Sequence, residues 1–138
     1  MTAHPLPGSD VALVDFLSEL FFGDEQQEPL EDTLDRLVSP DFCQRINGAV
    51  HRRQEYANHV RMMRGTVSGG HVEVLEQVRE GQTVAGRYLF RVVRSEGSAA
   101  TFESGIFARL GADGRIDQMV EIGRLVEDGD NSDFLASP

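Results

Sequence analysis

The run Val84-Ala85-Gly86-Arg87-Tyr88-Leu89-Phe90-Arg91-Val92-Val93 decides the fold. Its β-branched and aromatic residues predict a long strand, apolar on both faces. Val84, Tyr88, Phe90 and Val92 share one face; Ala85, Leu89 and Val93 share the other with Arg87 and Arg91. Upstream, the hydrophobic period changes from helical to two after Gly69-Gly70, where Val72, Val74 and Val78 alternate with more polar neighbours up to a turn at Glu80-Gly81. Downstream, a turn around Glu96-Gly97-Ser98 leads to a strand over about Ala100–Leu110. Ala112-Asp113-Gly114 is a hairpin signal, and Arg115–Leu125 returns as the last strand. Four strands therefore meander in antiparallel order.

The chain before Gly65 reads as helices. Ser9 or Asp10 caps the first, whose stripe holds Leu13, Val14, Leu17, Leu20 and Phe21 before Gly23 stops it. Pro29 opens the second, with Leu30, Leu34, Leu37 and Val38 as its stripe and Pro40 as its end. The third runs from about Arg52 to Arg64, with Tyr56, His59, Val60 and Met63 on one side. Asp41–Ile46 is a short strand candidate followed by an Asn47-Gly48 turn. Helices first and strands after argue for an α+β fold, with three helices packed on a strongly bent antiparallel sheet to leave a cone whose mouth holds a ligand. Residues 1–8 read as a flexible arm, 9–126 as the domain and 127–138 as an acidic, disordered tail.

Composition excludes several functions. The net charge is -10 in 138 residues, and the acidity sits at the two ends. Phosphate backbones repel such a chain, so nucleic acid is not an expected partner. All 13 basic residues are Arg, which removes Schiff-base and pyridoxal chemistry. Cys43 is the only cysteine, so thiolate zinc clusters are excluded and a buried structural thiol is the expected role. His51, His59 and His71 lack the i, i+4 spacing of a helical metal site, and no phosphate-binding glycine loop is present. Neither a metal nor a cofactor is expected. The stretch Val11–Phe22 is interrupted by Asp15, Ser18 and Glu19, as in an amphipathic helix rather than a leader or a span, and a cytoplasmic location is the expectation.

Several segments together resemble a known family. Val84-Ala85-Gly86-Arg87-Tyr88 is similar to the central strand of the SnoaL-like polyketide cyclase branch of the nuclear-transport-factor-two-like superfamily. Phe102–Leu110 resembles its penultimate strand, and Asp113-Gly114-Arg115-Ile116 with the run into Glu121-Ile122 resembles its last hairpin. The resemblance covers roughly residues 9–126. It implies pocket-facing helix residues at Tyr56 and His59 and an acid near Glu121. The family's last strand usually carries a Trp just before that acid; here the position is Val120, and the chain has no Trp. The superfamily includes isomerases, cyclases, dehydratases and non-catalytic binders, and fold does not choose among them.

The candidate chemistry lies among these residues. His59 and Glu121 are the candidate catalytic groups; Tyr56, Met63, Arg87 and Gln118 are candidate ligand contacts. The imidazole of His59 suits a general base near neutral pH. Arg87 either holds an anion or pairs with Glu103 across the sheet. On the last strand, apolar content points Ile116, Gln118, Val120 and Ile122 inward, and a bulge would bring Glu121 inward instead. Three functions follow: a cofactor-free cyclase, isomerase or dehydratase acting by proton transfer on a small apolar, polyketide-like or steroid-like molecule; a non-catalytic binder of a hydrophobic ligand; or a protein-interaction module. The two-sided apolar strand predicts a homodimer through the sheet face that the helices leave open.

Overall fold

A computed structural model describes residues 12–129. The expected arm over 1–8 and the tail from residue 130 onward lie outside the described residues. The elements are α1 (Ala12–Phe22), α2 (Leu30–Leu37), β1 (Val38–Ile46), β2 (Ala49–Arg52), α3 (Arg53–Thr66), β3 (Val67–Glu80), β4 (Thr83–Arg94), β5 (Ala99–Leu110) and β6 (Ile116–Gly129). The six strands form one sheet in the order β2-β1-β6-β5-β4-β3. The fold is α+β, with the helices on one face of the sheet.

Helical spacing explains what is buried. Leu13, Phe16, Leu17 and Leu20 of α1, Leu30 and Leu34 of α2, and Tyr56, Ala57 and Val60 of α3 all lie in one core. They meet Val84, Tyr88 and Phe90 of β4, and Val92 is buried on the same inward face of the deciding strand. Each fully buried large side chain contributes about 1.5–3 kcal/mol, so this shared stripe dominates the packing. The Phe42 ring of β1 lies 4.8 Å from that of Tyr56, joining the first strand to α3.

The helix ends are tied together by Arg64. Its Nε donates to the Leu20 carbonyl at 2.7 Å and its NH2 group to the Glu19 carbonyl at 2.9 Å, satisfying the last turn of α1. Its NH1 group reaches Glu25 at 3.0 Å, and the same carboxylate accepts the Leu30 N–H that opens α2. Gly23 makes the approach possible, because a Cβ there would stand 2.3 Å from the Glu19 oxygen and 2.8 Å from Arg64 NH2.

The sheet is richer than the sequence pattern implies. The expected short strand over Asp41–Ile46 is longer, and α2 ends at Leu37, three residues before Pro40. Pro40 is tolerated inside β1 because the register with β6 shifts between Val38 and Cys43, leaving its missing N–H without a ladder partner to lose. Asn47 and Gly48, with φ of 47° and 89°, make the tight turn into β2, a strand the periodicity does not reveal. β1 pairs parallel with β6, so the sheet is mixed rather than wholly antiparallel. α3 carries on through Gly65 to Thr66, and Gly69-Gly70 lie inside β3. β6 carries the first acidic tail residues into the sheet, where Glu127 pairs with Thr101.

Candidate functional site

A cavity of about 330 Å³ opens between the end of α1, α3 and the concave sheet face. Its walls are largely apolar and carry four phenylalanines. Phe21 and Phe22 come from α1, Phe90 from β4 and Phe102 from β5, and the Phe21 and Phe90 rings meet edge to face at 5.8 Å. His59 and Met63 line it from α3, and Ser104 and Glu121 from the adjacent strands β5 and β6. A water-poor wall of this kind strengthens every polar interaction made inside it.

Glu121 reaches this cavity through a bulge. Arg109 pairs with Gln118, but Leu110 pairs with Ile116, so Asp117 is an extra residue on β6. Ile116 and Met119 are therefore both buried, the alternation restarts in the opposite phase, and Glu121 follows Met119 inward at 9% exposure. The same shift turns Gln118 out. It is exposed on the opposite face, contrary to its expected place as a pocket group. Val120 and Ile122 are exposed with it, at 47% and 71%.

The carboxylate has two protein partners. Ser104 Oγ donates to Oε2 at 2.7 Å and Gln44 Nε2 donates to Oε1 at 3.1 Å. Burial pushes the Glu121 pKa up, and these two hydrogen bonds offset part of the rise. Gly123 makes room: a Cβ there would stand 3.0 Å from Ser104 Oγ and 3.8 Å from Glu121 Oε2. Asn47 clamps the strand at this point. Its Nδ2 donates to the Gly123 carbonyl at 3.2 Å, and its Oδ1 accepts the Gly123 N–H at 3.0 Å.

His59 and Tyr56 occupy different depths. His59 lines the cavity half-buried, and its ring stacks on that of His51 at 5.4 Å between centroids. Burial and then the neighbouring His51 lower its pKa, which favours the neutral imidazole. Tyr56 lies beneath the cavity rather than on its wall. Its side chain is fully buried, and its hydroxyl has no hydrogen-bond partner among the described residues. Burial first, and then the charge of Glu121, raise its pKa. Arg87 lies outside the site. Its side chain points to the outer face, donating to Glu76 at 3.0 Å and to Glu103 at 2.9 Å, because odd-numbered β4 residues face away from the helices. The cross-strand pairing is thus its role in the fold, and anion holding in the cavity is not.

Gln44, Ser104, His51 and Asn47 complete the site, and sequence reasoning missed all four. Gln44 had a readable signal: it alternates with Phe42 on β1, which puts a polar residue on an inward register. Among the described residues no group of three or more His, Cys, Asp or Glu side chains is placed to hold a metal ion.

The two shifted groups give stability opposite slopes in pH. The raised Glu121 pKa contributes stability that is full below its unfolded value near 4.5 and is lost as pH rises through the folded value. The lowered His59 pKa contributes stability that is full above 6.5 and is lost as pH falls through its folded value. Urea midpoints measured across pH should therefore show Glu121→Gln losing the alkaline-side decline while keeping the acid-side one. A Glu121→Gln curve parallel to wild type would contradict a raised carboxyl.

Among the described residues, an α+β fold thus places a buried carboxyl at a cavity roofed by helices. Residues 7–119 match the SnoaL-like domain family, and the chain belongs to it. No curated protein matches the chain. Among solved structures, it is similar to an NTF2-like protein of unknown function from Exiguobacterium sp. 255-15, at 25% identity and TM-score 0.66, over 80% of this chain and 96% of that one. It shares its fold with IdmH, a putative polyketide cyclase from Streptomyces antibioticus, at 19% identity and TM-score 0.63, over 79% and 89%. It also shares it with a protein of ketosteroid isomerase-like fold from Catenulispora acidiphila DSM 44928 in complex with trimethylamine, at 11% identity and TM-score 0.63, over 82% and 84%. No described helix is long and apolar enough to cross a membrane.

Proposed function

We propose that this protein is a cofactor-independent enzyme that moves a proton on a small, largely apolar substrate, in the manner of a cyclase, isomerase or dehydratase. The observation that carries the reading is the Glu121 carboxyl, buried at a cavity with aromatic walls and held by Ser104 and Gln44. Such a group holds its proton to higher pH than a free carboxyl, which suits it to both take and return a proton. Phe21, Phe22, Phe90 and Phe102 favour a flat apolar body, with polyketide-like or steroid-like ketones as the class to try first. His59 lines the same cavity, and its lowered pKa favours a neutral imidazole able to accept or share a proton. The test is solvent-deuterium incorporation at the acidic C–H of polycyclic ketones. Wild type should catalyse exchange, and Glu121→Gln should not. Binding without exchange in wild type would support a hydrophobic-ligand carrier instead.

Tyr56 supplies a prediction of its own. A buried hydroxyl without a partner costs stability, so Tyr56→Phe should raise the unfolding free energy of the ligand-free protein by about 1 kcal/mol. A drop of that size in denaturant melts would mean that the hydroxyl is satisfied.

The partner proposed is a second copy of this chain. Val78, Ala85, Phe107 and Val120 pair in one row across β3, β4, β5 and β6 on the outer face. Val78 is 69% and Phe107 63% exposed, and Ile122 adjoins them. An apolar row of this length on an open sheet face suits a two-fold contact. Light scattering should report a dimer at micromolar concentration, and Phe107→Glu should report a monomer. A monomeric wild type would remove the proposal.

A further inference from the structure

Gln44 is 1% exposed, and both ends of its amide are engaged. Nε2 donates to Glu121 Oε1, and Oε1 lies 3.1 Å from His51 Nδ1. One end of an amide only donates and the other only accepts, so what one neighbour requires fixes what the other receives. We infer that Gln44 is a positioning residue that couples the proton on Glu121 to the proton on His51, so that occupancy of either disfavours the other. The inference deepens the acid–base reading of Glu121, and its functional meaning rests on that reading.

Two arrangements satisfy every group in the chain. With Glu121 ionised, the Gln44 NH2 group faces the carboxylate, its oxygen faces His51, and Nδ1 carries the hydrogen. With Glu121 protonated, the carboxyl O–H donates to the Gln44 oxygen. The amide is then turned over, its NH2 group donates to Nδ1, and His51 carries its hydrogen on Nε2. The ring gains no proton overall: Nδ1 gives one to solvent and Nε2 takes one up. An imidazolium allows only the first arrangement, because Nδ1 must then donate, and so it favours the carboxylate.

Ser104 offers the competing route. A proton on Oε2 would make the Ser104 hydroxyl the acceptor, and its own hydrogen would then need another partner. Among the described residues the Ser104 side chain makes no other hydrogen bond. An unpaired donor against an apolar wall is costly, whereas the Gln44 and His51 chain reverses with every group still paired. The other ionisable groups around the chain are few. From α3, Tyr56 lies near enough to feel the charge of Glu121, His59 stacks on His51, and Glu55 accepts the N–H of Arg52 beside it. Arg124 lines the cavity from β6, with its guanidinium paired to Glu103.

The experiment is a carboxyl carbon-13 titration of Glu121 in ligand-free protein, for wild type, His51→Phe, Gln44→Leu and the double variant. Each single change should move the midpoint up. The double variant should titrate as Gln44→Leu does alone, because the coupling passes through the amide. No shift in His51→Phe, or an undiminished shift in the Gln44→Leu background, overturns the inference. Wild type alone gives a second reading if Gln44→Leu does not fold. At alkaline pH, with Glu121 ionised, nitrogen-15 shifts should show His51 as the Nδ1–H tautomer, and an Nε2–H tautomer there overturns the inference as well. Neither measurement needs a substrate, so a failure of turnover and a failure of coupling are read separately.

Discussion

Glu121→Gln is expected to lower kcat/KM for the substrate by about 10²–10⁴-fold, the usual worth of a positioned acid–base group. The substitution removes the ionisable carboxyl and little else. The Gln oxygen still accepts from Ser104 Oγ, and the new amide nitrogen can donate to the oxygen of a turned Gln44, whose NH2 group then faces His51 Nδ1, so both hydrogen bonds seen at 2.7 Å and 3.1 Å have successors. Ligand affinity should change far less than turnover, because the aromatic walls are untouched. The stability of the variant should meanwhile rise at neutral and alkaline pH, since it no longer carries a buried group that must ionise. Steady-state kinetics with substrate-binding titrations separate the two effects. Equal loss in binding and turnover would make Glu121 a ligand contact, and no loss in either would leave it a structural acid. A His59→Gln variant makes the comparison complete: a loss confined to the pH dependence would make His59 a modulator, with Glu121 as the proton carrier.

The sequence carries the fold further than it carries the site. Period-two runs after Gly70 and helical stripes before Gly65 each report a single buried face, and burial is what side-chain patterns record. Pairing is not recorded in that way. β2 is four residues long with mostly exposed side chains, and the parallel contact of β1 with β6 joins segments some 75 residues apart in the chain. Neither leaves a periodic mark. The site depended on one bulge. Counting alternate residues from Ile116 points Gln118 inward, and the extra residue at Asp117 inverts the count before Glu121. No local residue preference announces that bulge, so the strand reads two ways until its partner is known. Arg87 was ambiguous for a different reason: an Arg on a two-sided apolar strand suits a pocket or a cross-strand pair equally, and only the acids at Glu76 and Glu103 decide it. Tyr56 and His59 share a helix face, as their spacing requires, yet they divide between the core and the cavity because that face crosses from one to the other.

Gly70→Ala should destabilise the protein by about 3 kcal/mol, at the upper end of what overpacking a close contact costs. Gly70 lies in β3 opposite Val92, where the end of α1 comes down on the sheet. A Cβ there would stand 2.3 Å from the Arg91 carbonyl oxygen and 2.7 Å and 2.9 Å from two Phe22 ring atoms. The first neighbour is the backbone of the partner strand, which cannot move without breaking the ladder. The second is a wall of the cavity, held by the last turn of α1. Gly69 is the control. An added Cβ there meets nothing within 4 Å, so Gly69→Ala should be neutral or stabilise by about 0.5 kcal/mol through the unfolded chain. Guanidinium melts of the two variants should differ by several tenths of molar at the midpoint, with Gly70→Ala the weaker. Phe22 transmits the same contact to function. If Gly70→Ala folds, it does so by displacing that ring and locally opening the β3–β4 ladder, and ligand affinity should fall with stability. Two variants of equal stability would mean that the end of α1 does not rest on β3 as closely as 2.7 Å implies.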